Sequence, residues 1–462
     1  MRQPEPASPW VPMVSKQDGP LYLAIAGVIA ADIASGRLRA GTRLPPQRAL
    51  AEQMGVDFTT ISRAYNEARR RGLIEGRVGQ GTYVRTQASA QSRAAAGVVD
   101  MSMNMPPQFT GEDLVERIWR DIGSIQSKAG LDLLLRYQEA GGGLVDRMAS
   151  AQWLAPLLPD LAPERVLITP GAQGATMAVL GLVAAPGDTI AVEALTYPGF
   201  RAMGQYLSLR LRPLAMDGQG ILPEAFEAAC REDKPKALYC TPTLHNPTTA
   251  TMGPERRRAI ADIAMKFGVP IIEDDAYGML PAQSVAPIAT LAPELTYYIS
   301  SLSKCLSPAL RISYLVAPNA KIGARLASNI RASTSIASPL TSAIATRWIE
   351  TGSAASVLKA IRQETRERHR LLMTNLPSAQ SDPEAFHAWL PLRGAWDRHA
   401  FTAKLRSVGI GVVASDAFAV GAAPEAVRLG LGGIATREEL ETSLTVIADV
   451  LDQSPSFGGM VV

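Results

Sequence analysis

Cysteine, histidine and aromatic residues are all scarce in this chain of 462 residues. The three cysteines, Cys230, Cys240 and Cys305, show no CxxC spacing, which argues against a disulfide framework and a cysteine-based zinc site. The four histidines, His245, His369, His387 and His399, form no metal-ligand pattern, so no metal is expected. No apolar run approaches the roughly 18 residues of a membrane-crossing helix, and no membrane partner is expected. The first residues carry Pro, Glu and Ser where a signal peptide needs a basic start and an apolar stretch. The cytoplasm is therefore the expected compartment. Charge is modest too, at 19% charged residues and a net of +3, which favours neither disorder nor a chain that binds polyanions along its whole length.

Apolar residues make up 47% of the chain, enough for a large core. At about 150 residues per domain, the length suggests two or three folding units. The charge is unevenly placed: Pro20 to Thr86 holds ten Arg against five Asp and Glu, a net of +5, which leaves −2 for the rest. A compact basic module ahead of a near-neutral body points to a nucleic-acid reader.

Residues 1–19 are polar and Pro-rich and are expected to form a flexible arm. Leu21, Ile25, Val28, Ile29 and Ile33 then recur at helical spacing, with Gly36 as the stop. A second helix follows Pro45 and Pro46 over Gln47 to Met54. After the turn Gly55-Val56, Asp57 can cap a third helix that carries Thr59, Thr60, Ile61, Ala64, Tyr65 and Ala68. Leu73-Ile74-Glu75 and Thr82-Tyr83-Val84 flank Gly79-Gln80-Gly81 as a two-stranded wing, so 20–85 reads as a winged helix-turn-helix. Residues 86–97 have almost no large apolar side chain and read as a linker.

From 98 to 462 the pattern is that of an α/β body. Strands are expected at Val166–Thr169, Thr189–Glu193, Ala237–Thr241, Val269–Glu273, Thr296–Ser300 and Ile312–Ala317. Helices such as Gln173–Ala184 and Pro254–Phe267 lie between them, the signature of a mostly parallel sheet covered by helices. From about 353 a long charged helix followed by shorter elements suggests a small α+β subdomain.

In a helix-turn-helix the second helix of the motif enters the major groove. Here that helix would present Thr59, Thr60 and Arg63. Arg48 would reach a phosphate or a base edge, and Arg77 with the small Gly79 and Gly81 would let the wing approach the minor groove. The stretch from Gly36 to Val84 resembles the GntR-family winged helix-turn-helix, with its LPxxR element at Leu44–Arg48 and its GxGTxV element at Gly79–Val84. One departure is Phe58, where the family often has Arg. A phenylalanine cannot make the bidentate guanine contact, so the family's operator does not carry over.

The body holds the parts that pyridoxal 5'-phosphate chemistry needs: an amine, a carboxylate for the pyridine nitrogen, donors for the ring hydroxyl, a phosphate cup and an aromatic face. Each falls at or after a strand end. Gly171, Ala172 and Gln173 open a helix whose amides can cradle phosphate. Tyr197 can stack on a ring, and Asn246 can donate to its hydroxyl. Asp274 ends an apolar strand, three residues before Tyr277. Lys304 follows another strand, with Ser301, Ser303 and Arg311 beside it. Taken in order, these motifs resemble fold-type I aminotransferases, in particular the kynurenine/α-aminoadipate branch. That resemblance implies Lys304 as the Schiff-base lysine and Asp274 at the pyridine nitrogen. It implies Asn246 and Tyr277 at the ring hydroxyl, Tyr197 on the ring face, and Arg428 for a ligand carboxylate. Thr249 replaces the glycine of the family's NPTG, and Ala309 replaces the glycine usual before the phosphate arginine.

A GntR head on an aminotransferase-like body is the arrangement of the MocR/GabR-type regulators. The resemblance implies a DNA-binding transcription regulator that senses a small amino compound by aldimine exchange at Lys304. It also implies a homodimer, head-to-tail, on a two-half-site operator. Two alternatives stay open: an aminotransferase enzyme that carries a DNA-binding domain, and a regulator that senses the cofactor itself. On this view the isolated segment to Arg85 should bind DNA weakly and with steep salt dependence, while the full chain binds a two-site operator far more tightly because its heads are linked. Equal affinity of both in a gel-shift titration would count against linked heads.

Overall fold

The helical spacing near the N-terminus does close three helices on one another. The computed structural model describes residues 10–12, 20–34, 37–38, 42–70, 73–77, 81–84, 99–109, 111–125, 132–135, 137–394 and 396–453. In it α1 (Leu21–Ala34) and α2 (Gln47–Met54) both pack on α3 (Phe58–Arg70). Ile25, Ile29, Leu50, Ile61 and Tyr65 form their common core, joined by Ile74 and Val84. Tyr65 Oη donates to the Pro45 carbonyl at 2.9 Å, which ties α3 to the turn ahead of α2. Asp57 caps α3, its Oδ1 accepting the Thr59 amide at 2.7 Å. Strands β1 (Ile74–Arg77) and β2 (Gly81–Val84) pair antiparallel, with Arg77 opposite Gly81. Gly36, Gly79, Gln80 and the expected linker 86–97 lie outside the described residues, as does most of the expected arm. The chain divides into two compact units, Met1–Ala96 and Gly97–Val462.

The second unit is built on a mixed sheet of seven described strands: β4 (Val166–Thr169), β5 (Thr189–Glu193), β6 (Arg210–Leu214), β7 (Ala237–Cys240), β8 (Ile271–Asp274), β9 (Thr296–Ser301) and β10 (Ser313–Val316). Their order is β4-β10-β9-β8-β7-β5-β6. All neighbours run parallel except β10, which is antiparallel to both β4 and β9. Strands β4, β7, β8, β9 and β10 are buried throughout, as a sheet covered by helices requires. Strand β8 starts two residues later than expected, because the Val269 amide still caps the helix Pro254–Phe267 through the Ala264 carbonyl and Pro270 has no amide hydrogen. Strand β6 was not foreseen. It is an edge strand of alternating Arg and apolar residues, with Arg212 ion-paired to Glu232 and Asp233, so it lacks the apolar run that marks the others.

A smaller sheet carries β11 (His387–Pro391), β13 (Val413–Ala414) and β14 (Ala426–Gly430), in the order β11-β14-β13 and all antiparallel. Beside it, β12 (Ile410–Gly411) pairs parallel with β3 (Val99–Asp100). The core of this part joins Met101 to Leu372, Phe401, Leu429 and Leu444. The small part therefore takes in chain from far ahead of 353, which two-residue strands are too short to signal. Among the described residues no helix is long and apolar enough to cross a membrane, and the three cysteines are free and buried.

Beneath the sheet's end lies a buried polar knot. Arg257 is fully buried; its Nε donates to the Met252 carbonyl at 3.0 Å and its Nη2 to Thr243 Oγ1 at 2.9 Å. Its Nη1 donates to the Ala286 carbonyl at 3.2 Å and stands 3.9 Å from Glu273 Oε1. Glu273 in turn accepts the Ile288 and Ala289 amides, both at 2.8 Å. Among the described residues Arg257 is the cation of this knot, and removing it leaves a buried carboxylate uncompensated. Arg257→Met is expected to lower the stability of the body by about 3–5 kcal/mol, read as a shift in the urea unfolding midpoint; a midpoint within error of the parent would show the knot to be energetically neutral.

Candidate functional site

The residues singled out in the body come together because the sheet places their loops on one edge. Gly171, Tyr197, Asn246 and Lys304 follow the ends of β4, β5, β7 and β9, and Asp274 ends β8. Strand β10 runs the other way, so Arg311, just before it, returns to the same edge. Open α/β sheets bind ligands in the crevice at this end. A cavity of about 320 Å³ opens there, lined by all twelve: Gly171, Ala172, Gln173, Tyr197, Asn246, Asp274, Tyr277, Ser301, Ser303, Lys304, Arg311 and Arg428.

Asp274 is buried. Its Oδ2 accepts from Tyr239 Oη at 2.8 Å, while Oδ1 has no partner. Burial pushes its pKa up to about 6, against the pull of the Tyr239 hydrogen bond. Lys304 Nζ donates to the Asn104 carbonyl. Burial first, and the Arg428 guanidinium second, bring its pKa down to about 8, with Asp274 opposing them. Tyr277 Oη accepts from Asn104 Nδ2 at 2.8 Å, so its own proton is free for another acceptor. Tyr197 Oη accepts from Gln173 Nε2 at 3.3 Å.

Gly171 takes φ +82 as the N-cap of the helix Ala172–Val183, a conformation that favours glycine. That helix start exposes unpaired amides to the cavity. Arg311 stands beside it, since a Cβ at Gly171 would lie 3.8 Å from Arg311 Cζ. Ser301 and Ser303 complete a ring of donors suited to a phosphate.

Arg428 lies in the middle of β14 and is buried. Its Nη1 donates to Asn246 Oδ1 at 3.1 Å, its Nη2 donates to the Ser102 carbonyl, and its Nε has no partner. The Phe418 ring lies 5.2 Å from its Cζ. Thr249 takes φ +62, the left-handed region in which the family's glycine would be unstrained.

Sequence reasoning missed Ser102, Met103, Asn104, Phe200 and Tyr239, all of which line the same cavity. Phe200 and Tyr239 stack with centroids 3.7 Å apart, and Tyr239 orients Asp274. An aromatic in a strand core gives no local sign of such a role. Ser102–Asn104 carries no motif at all.

In the winged-helix unit, Arg48, Thr59 and Arg63 are exposed and Thr60 is half-buried. The Thr59 hydroxyl donates to Asp57, so it meets a partner through its lone pairs. Arg63 lies 4.2 Å over the Tyr22 ring, and Arg48 lies 5.9 Å from the ring of Phe58. Arg77 and Gly81 belong to the wing strands.

The matches to known proteins define the class. The chain belongs to the aminotransferase class I and II family, whose model matches residues 96–447, and carries at residues 21–84 the domain of bacterial regulatory proteins of the gntR family. It is a GntR-type transcription regulator with an aminotransferase-like body. Among its relatives is the uncharacterized HTH-type transcriptional regulator YdeF of Bacillus subtilis, 30% identical over 96% of this chain and 97% of that one. Another is the vitamin B6 salvage pathway transcriptional repressor PtsJ of Salmonella typhimurium, 27% identical over 90% of this chain and 95% of that one. The body shares its fold with LysN, the α-aminoadipate aminotransferase of Thermus thermophilus, at a TM-score of 0.70 and 22% identity, over 77% of this chain and 92% of that one.

The charges around Lys304 give a test. In cofactor-free protein, its reactivity toward an aldehyde reagent should titrate with a midpoint near 8. Asp274→Asn should move that midpoint down and Arg428→Gln should move it up; shifts in the reverse directions would contradict the electrostatics. Because the folded value lies below the unfolded one of 10.5, the unfolded chain holds more protons between the two. Lys304 therefore makes stability rise with pH across that window.

Proposed function

We propose that the body binds pyridoxal 5'-phosphate in this cavity and that the chain reads a small amino compound there to control its hold on operator DNA. The observation that carries this reading is Asp274, a buried carboxylate with one oxygen unpartnered, in the same cavity as a lysine of lowered pKa. A buried carboxylate of this kind calls for a cationic donor, and a protonated pyridine nitrogen is one. When bound, the cofactor supplies an aldehyde carbon open to amines and an electron-withdrawing ring.

The chain's own residues divide the remaining work. Lys304 supplies an amine that is substantially neutral near its pKa of about 8 and so able to act as a nucleophile. Tyr277, whose oxygen already accepts from Asn104, and the Asn246 amide would donate to the ring hydroxyl. The first amides of the helix Ala172–Val183, with Ser301, Ser303 and Arg311, would hold the phosphate. Tyr197 would cover the ring, and Arg428 would take a ligand carboxylate. In the winged helix, Thr59, Thr60 and Arg63 would face the major groove, Arg48 the backbone, and Arg77, Gly79 and Gly81 the minor groove.

A homodimer fits the surface of the body. The helices Glu112–Gly123 and Leu144–Leu154 pack on Pro339–Glu350 and expose the large apolar side chains Trp119, Leu144, Val145 and Met148, which a second subunit would cover. The name of PtsJ favours a second reading, in which the cofactor itself is the signal.

Borohydride reduction of cofactor-saturated protein, followed by peptide mapping, is expected to place the pyridoxyl mass on Lys304; another lysine, or none, would overturn the site. Lys304→Ala should keep operator binding in the same gel-shift assay yet lose its response to amines. A full response to the cofactor alone, with none to added amines, would support the second reading instead.

A further inference from the structure

Ser102–Asn104, near the start of the body, line the cavity, and two of the three hold its key groups. The Ser102 carbonyl accepts from Arg428 Nη2, the Asn104 carbonyl accepts from Lys304 Nζ, and Asn104 Nδ2 donates to Tyr277 Oη. This strap lies backbone to backbone on the strand that bears Arg428. The Gly430 amide donates to the Met101 carbonyl at 2.8 Å. A Cβ on Gly430 would strike the Met103 carbonyl, and one on Gly432 the Met105 carbonyl. The glycines after Arg428 thus make room for the strap.

Arg428 is only half committed. Asn246 Oδ1 takes Nη1, Ser102 takes Nη2, and the buried Nε has no partner. Nε and Nη2 form one edge of the guanidinium, the edge that a carboxylate grips with two parallel bonds. A carboxylate on that edge competes with the Ser102 carbonyl for Nη2, and the exchange trades a neutral carbonyl for a charge-assisted pair. An amine without a carboxylate leaves Ser102 in place.

Resting on the reading of Arg428 above, we infer that Ser102–Asn104 is a specificity strap that a carboxylate-bearing ligand displaces from Arg428 and an amine alone does not. Displacement also has a route outward. The strap continues from β3, the strand with which the second unit begins after the winged helix in the chain. Met101 hangs on β12 through its amide bond to Gly411 at 2.8 Å, so release of Ser102 loosens the point from which the chain runs toward the DNA-reading unit.

The test follows amide hydrogen exchange in peptides covering Met101–Met105 of the full-length, cofactor-loaded protein. Propionate serves as the carboxylate probe and propylamine as the amine-only control, and propionate binding is followed by calorimetry. Propionate should speed exchange there by about tenfold, as expected for loss of one hydrogen bond to a charged group. Propylamine should not, and Arg428→Gln should abolish the effect. The inference is overturned if propionate shows no Arg428-dependent binding, if it binds and leaves the exchange unchanged, or if propylamine acts equally. The visible spectrum of the same sample reports separately on the cofactor at Lys304. A missing cofactor band sinks the proposed function, while the propionate comparison still decides the strap.

Discussion

Three consecutive carboxylates, Glu273, Asp274 and Asp275, are buried at the end of one strand, and the body is arranged around satisfying them. Side chains alternate along a strand, and the partners of the three divide accordingly. Glu273 is met by the Ile288 and Ala289 amides and Arg257, and Asp275 by the Tyr298 hydroxyl at 3.0 Å. Burial raises the pKa of both, and Arg257 opposes it. Asp274 goes the other way, into the cavity, with Tyr239 as its single partner. The knot behind the strand backs the carboxylate that faces the cavity with one oxygen unpartnered.

That incompleteness gives the cavity its chemical sense. Unpaired buried polar atoms are costly, and three of them, Asp274 Oδ1, Arg428 Nε and Asn104 Oδ1, belong to residues lining one cavity. A carboxylate, a guanidinium and an amide held in this way suit a ligand with a cationic ring, a carboxylate and a polar edge. Lys304 completes the set, with an amine whose proton burial has loosened.

The strap Ser102–Asn104 links this chemistry to the chain's organisation. It lies at once on the small sheet, on the lysine and on the arginine.

The sequence alone determined the two units and the chemical inventory. The basic helix-turn-helix was readable from its apolar spacing, and α2 came out at the expected residues, because short-range periodicity and turn chemistry are local. Several of the cavity-lining residues, Gly171, Asp274 and Lys304 among them, could be singled out because they stand at or just after the end of an apolar strand, where polar groups are out of place unless used. Tertiary structure decided the rest. The edge strand Arg210–Leu214 half faces solvent and carries no apolar run, and the reversed direction of β10 follows from pairing rather than from composition. Ser102 and Asn104 act mainly through main-chain carbonyls, which every residue has. Their role depends on where β3 docks, on a strand more than three hundred residues away in the chain, and no local pattern records a contact made over that distance.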